Sequence, residues 1–188
     1  MSRPSRLAIH LRLGRVSNLP TVWTNVVAGT VLGGGSLRGV VPTAIAMSLF
    51  YVGGMYLNDA FDREIDARER PERPIPAGHV TAAEVFLVGF GLLGAGLLLL
   101  VGLVLFGAAK AGAIGAGALL GGTIVLYDVW HKQNPVSPIV MGLCRVLVYL
   151  SAALATGGLL GANAWAGAAR NASGQTFFTS ARFSCFAT

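Results

Sequence analysis

The chain contains eight acidic residues, and six of them (Asp59, Asp62, Glu64, Asp66, Glu69 and Glu72) fall within residues 59–72. If a helix runs from Leu57 to Arg68, then at about 100° per residue Asp59, Asp62 and Asp66 share an arc of about 60°. Asn58 borders that face, ahead of Asp62 and Asp66 at helical spacing. Like charges so placed destabilise an isolated helix, so a cation has to offset them. The neighbouring arginines could do this, giving a salt-bridged helix at the membrane boundary. Alternatively, Asp59, Asp62 and Asp66 form one pole of a divalent-cation site. Their oxygen donors suit Mg²⁺, which keeps several waters and completes its shell with phosphate oxygens. The following segment, Arg68-Glu-Arg70-Pro71-Glu-Arg73-Pro74-Ile-Pro76-Ala-Gly78, ends the helix at its prolines. It returns Arg70 and Arg73 towards the carboxylates, and arginine is the planar donor that matches phosphate. By residue type alone both readings stand.

The elements that hold these residues are set by composition. Of 188 residues, 54% are hydrophobic and only 12% charged. Mean hydropathy is +0.65. The glycines follow no period of three, which excludes collagen. Two cysteines, Cys144 and Cys185, cannot build a disulfide framework. Five apolar runs (about Val16–Gly35, Gly39–Leu57, Val80–Phe106, Ala111–Leu126 and Val136–Leu160) predict an all-α, polytopic bundle of about five membrane-spanning helices. Small residues along these runs, as in Gly91-Leu-Leu-Gly94-Ala-Gly96, allow helices to approach closely in lipid.

The net charge of +6 does not point to nucleic acid, because the basic residues lie in short segments between apolar runs. Arg3, Arg6, Arg12 and Arg15 precede the first run, four arginines lie in 58–79, and Lys132 lies in 127–135. The alternate connections hold only Arg38 and Lys110. The positive-inside rule then places the N-terminus and the acidic segment on the cytoplasmic side, and a bacterial or archaeal cell membrane is the expected location. Residues 1–162 are expected to form the membrane domain, and 163–188, with mixed Ser, Thr, Phe and Arg, a short irregular tail.

With the elements in place, the acidic segment resembles the first aspartate-rich motif of the UbiA superfamily of intramembrane prenyltransferases. The residues that carry the likeness are Asn58-Asp59-Ala-Phe-Asp62-Arg-Glu-Ile-Asp66 and Arg70-Pro-Glu-Arg73-Pro74-Ile75-Pro-Ala-Gly78. The stretch Arg15-Val-Ser-Asn18-Leu-Pro20-Thr-Val-Trp23-Thr-Asn25 is similar to the family's opening span. The resemblance covers about residues 10–160. It implies a Mg²⁺-dependent enzyme that moves an isoprenyl group from a prenyl diphosphate to an aromatic or other acceptor. Asn58, Asp62 and Asp66 would then be catalytic, and Asp59, Asp62 and Asp66 would serve the metal. Arg70, Arg73, Lys132 and Arg145 would bind diphosphate, and Asn25 substrate.

Some of these assignments compete with plainer ones. The segment Tyr127-Asp128-Val-Trp130-His131-Lys132 matches the family's Tyr–Lys spacing imperfectly, and Lys132 could instead only set topology. Arg145, two turns into the fifth run, either faces a site or snorkels to the interface. Asn25 either meets substrate or bonds a neighbouring helix. His10, His79 and Cys144 carry no metal or triad spacing. The resemblance also implies nine spans and a second acidic loop, whereas no acid follows Asp128. A truncated chain or a frame change near residue 163 is the expectation, with activity of the chain by itself in doubt. The competing function is a non-catalytic membrane binding or assembly subunit whose acidic loop pairs with its own arginines.

Overall fold

A computed structural model describes residues 5–130 and 134–158. These residues form helices α1 (Arg6–Leu13), α2 (Leu19–Leu32), α3 (Val40–Phe61), α4 (Arg63–Glu69), α5 (Ala82–Leu105), α6 (Gly112–Trp130) and α7 (Ser137–Ala155). Two short 3-10 turns, Val16–Asn18 and Leu37–Gly39, precede α2 and α3. As the composition predicts, no strand occurs among the described residues. The expected tail at 163–188 lies outside them, as do His131 and Lys132.

Four segments are long and apolar enough to cross a membrane: Leu37–Phe61, Ala82–Leu105, Gly112–Trp130 and Ser137–Ala155. The expected first span is shorter than the apolar run suggests. Arg15 adopts a left-handed conformation (φ 43°) and breaks the chain after α1. Pro20 then opens α2, lacking the N–H that the first turn does not need. Gly34, at φ 67°, turns the chain away just past the end of α2. The 14 residues of α2 rise about 21 Å, short of the roughly 30 Å apolar layer. Two other boundaries also shift. α3 runs on to Phe61 and so carries Asn58 and Asp59, and α6 runs on to Trp130 and so carries Tyr127 and Asp128.

Successive long helices alternate in direction, and glycines set how closely they pack. A Cβ on Gly53 of α3 would stand 2.9 Å from the Gly89 carbonyl of α5, and one on Gly89 would stand 2.8 Å from Leu57. On the other flank, a Cβ on Gly29 of α2 would meet the Tyr149 carbonyl of α7 at 2.8 Å. In lipid, where apolar side chains gain nothing by leaving solvent, this backbone approach supplies the association energy. The main core joins Val26, Met47, Phe50, Leu57, Leu100 and Leu120. At one end of the bundle the 36–39 turn is tied to the end of α7 by the Ser36 N–H to the Thr156 carbonyl (2.8 Å). At the other end the C-termini of α3 and α6 meet the N-termini of α2, α5 and α7, and all the acidic residues gather there.

Candidate functional site

The acidic segment is nearly one continuous helix. α3 passes into α4 through Asp62, whose N–H still bonds the Asn58 carbonyl (3.0 Å) and whose carbonyl accepts from Asp66 N–H (2.9 Å). The face expected from spacing therefore forms: Asp59, Asp62 and Asp66 are 8%, 8% and 4% exposed. Glu64 and Glu69 point outward and are exposed. After Glu69 the chain leaves helical geometry at Arg70 (φ −144°), and Pro71 prevents its return.

Of the two arginines expected to fold back, one does. A single Nη1 of Arg73 donates to Asp66 Oδ2 at 2.6 Å and to Asp59 Oδ1 at 3.3 Å. Arg70 lies exposed at the start of the turn. Asp59 receives a second guanidinium from Arg15 (3.3 Å), a partner that sequence distance hid. Burial works against the charge of Arg73. The hydrogen bond to Asp66 and the charges of Asp59, Asp66 and Asp62 outweigh it and hold the guanidinium above its usual pKa. The cluster therefore carries its cation throughout the neutral range.

This arrangement bears on the expected metal. The donors fit a hard cation in kind: three buried carboxylates beside an amide. However, the point between Asp59 and Asp66 is held by the Arg73 guanidinium. Among the described residues, no three His, Cys, Asp or Glu side chains converge as a metal cage.

The adjoining face of α3 opens on a cavity of about 520 Å³ between α2, α3, α6 and α7. Its wall is apolar through Val22, Met47, Phe50, Leu120 and Val148 and polar through Asn25, Tyr127, Asp128 and Arg145. Asp128, 5% exposed, accepts a hydrogen bond from Asn58 Nδ2 at 3.4 Å and so links the cavity to the acidic segment. Sequence reasoning had Asp128 in a loop and gave it no role. The available signal was an acid within helical reach of an apolar run, which is costly in a membrane and marks function by default. Asn25, half-buried, accepts from the Tyr149 hydroxyl at 3.2 Å, so it both bonds a neighbouring helix and lines the cavity. Arg145 is exposed on α7 and also lines it.

The site thus has a charged end and an apolar body, sized for an amphiphile. Comparison with known proteins agrees with that shape. Residues 17–183 match the UbiA prenyltransferase family. A 67-residue stretch is 37% identical to digeranylgeranylglyceryl phosphate synthase of Methanopyrus kandleri, covering 35% of this chain and 25% of that protein. A solved structure from work on digeranylgeranylglyceryl phosphate synthase in membranes superposes with a TM-score of 0.70 at 24% identity. It covers 81% of this chain and 54% of the other, and it shows the shared fold. The chain spans about half the length of that structure and a quarter of the curated relative.

Proposed function

The chain belongs to the UbiA prenyltransferase family, and we propose that it uses the cavity to bind a prenyl diphosphate and pass the prenyl group to an acceptor within the membrane. The carrying observation is a cavity of about 520 Å³ that sets apolar residues such as Met47, Phe50 and Leu120 against Asn25, Tyr127, Asp128 and Arg145, with Asp128 bonded to Asn58 of the acidic segment. A prenyl tail fits the wall formed by Phe50, Met47 and Leu120, and its diphosphate fits the charged end.

Asp59, Asp62 and Asp66 would hold Mg²⁺ in place of the Arg73 contact, and bound there it would neutralise the diphosphate as its bond to the prenyl carbon breaks. This chain's own residues do the rest. Asp128 accepts the Asn58 amide N–H and fixes that side chain. Arg145 supplies a cation at the cavity wall, and Arg70, exposed just past the acidic helix, adds positive charge at that end of the bundle. The electron pair of the breaking C–O bond leaves with the diphosphate, so cations here stabilise a charge that grows during the reaction. The apolar wall keeps water from the prenyl carbon. The names of the relatives make a glyceryl phosphate lipid the first acceptor to test, with aromatic acceptors next. The acidic segment faces the cytoplasm in this reading.

Turnover of radiolabelled prenyl diphosphate in membranes containing the chain tests the reading. Asp62→Ala and Asp66→Ala should each lower it by about 10²-fold, the scale of losing one preorganised electrostatic contact. A second reading rests on Arg73, which already answers two carboxylates: a binding or assembly subunit with a self-neutralised loop. That reading predicts no affinity for prenyl diphosphate and no response to either substitution.

A further inference from the structure

Helix α1 carries two apolar stripes. Ile9 and Leu13 are buried in a cluster with Tyr56, Ala60, Val80 and Val85. Leu7 and Leu11, one turn apart on the opposite face, are 70% and 48% exposed. The inner face is pinned: His10 Nδ1 and the Tyr56 hydroxyl lie 2.9 Å apart, and Arg6 donates to Glu84 at 3.3 Å. Tyr56 belongs to the last turns of α3 and Glu84 to the first turn of α5. α1 is therefore fixed at the level where both spans leave the apolar layer.

Charge selects what meets its outer face. No acid occurs in sequence before Asp59, whereas Arg6, Arg12 and Arg15 lie in or beside α1, with Arg6 paired to Glu84 and Arg15 to Asp59. Between α1 and α2 runs an open groove of about 560 Å³ lined by Leu11, Arg12, Arg15, Val16, Ser17 and Asn18. The Arg12 guanidinium, a hydroxyl and an amide beside apolar carbons, with Arg15 held by Asp59 at the same groove, are the chemistry that takes a phosphodiester attached to acyl chains. A basic helix with outward leucines at this depth lies in the membrane plane.

We propose that α1 is an in-plane anchor for anionic phospholipid, with Leu7 and Leu11 at the acyl boundary and a headgroup phosphate in the groove by Arg12. The proposal is independent of prenyl transfer, so it stands or falls whether or not turnover is found.

The test uses the full chain in phosphatidylcholine vesicles with and without phosphatidylglycerol. An environment-sensitive fluorophore is placed by Leu11→Cys in a Cys144→Ser, Cys185→Ser background. Its emission should shift to the blue and be quenched by shallow spin-labelled lipid, more strongly when phosphatidylglycerol is present. Arg12→Gln should abolish the difference between the two vesicle compositions while leaving the depth reading. Leu7→Cys carries the same label one turn away and must report the same depth. Quenching of either label by aqueous iodide, or equal emission in the two compositions, overturns the anchor. So does a soluble acidic protein shielding the label where phosphatidylglycerol does not.

Discussion

Two groups of buried polar side chains lie on neighbouring faces of α3, and they are satisfied differently. On one face Asp59 and Asp66 share Arg73, and Asp59 also takes Arg15. Here two carboxylates meet two guanidiniums in a closed network. On the other face the Asn58 amide meets Asp128 through one long hydrogen bond, beside a cavity. The first group resembles a structural joint, fastening the 70–79 turn and α1 onto the end of α3. The second keeps its polar atoms next to space that a ligand can fill. Neighbouring residues of α3 thus differ: Asp59 meets two arginines, whereas Asn58 meets Asp128 at the cavity wall.

Substitutions that cut each group separately should show the contrast. The largest effect is expected for Arg73→Met, which takes from buried Asp66 its guanidinium and leaves Asp59 with Arg15 alone of its two. Removing one partner of a buried pair costs about 3–5 kcal/mol, read as a lower midpoint in thermal or denaturant unfolding in detergent. Gly89→Leu comes next, because its Cβ would press on Leu57. Overpacking of this kind costs about 1–3 kcal/mol, checked in the same unfolding assay. Asp128→Ala removes the long hydrogen bond from Asn58 and should cost about 1 kcal/mol of stability, while prenyl diphosphate binding falls more than stability does. Parallel unfolding and binding titrations separate the two. Tyr149→Phe, which frees Asn25, should cost about 0.6 kcal/mol, the usual size of a hydrogen bond between membrane helices. If Arg73→Met proved milder than Asp128→Ala in unfolding, the division between joint and cavity would be wrong.

The sequence disclosed the helical class, four of the spans and the shared helix face of Asp59, Asp62 and Asp66, because hydropathy and a 3.6-residue period report one helix at a time. Contacts between helices stayed hidden. Arg15 meets Asp59 across 44 positions of chain, and Asn58 meets Asp128 across 70. No periodicity encodes such a meeting. The first apolar run was overestimated because hydropathy cannot see the 3-10 turn at Val16–Asn18 or the left-handed Gly34, which trim the helix to Leu19–Leu32. Of the two arginines in the turn, Arg73 folds inward and Arg70 outward. That choice depends on the turn's geometry after Pro71, which spacing alone leaves open. The expected metal trio fared similarly: a shared face was legible, but its burial and the guanidinium between Asp59 and Asp66 were not.

The most direct measurement is photoaffinity labelling of the full chain in membranes with a prenyl diphosphate bearing a photoreactive group on its tail. Adducts should map to cavity-lining residues of α3, α6 and α7, such as Met55, Ile124 and Met141, and unlabelled prenyl diphosphate should compete them away. Labelling confined to outward residues such as Leu87 or Leu98, and unchanged by competitor, would contradict a binding role for the cavity.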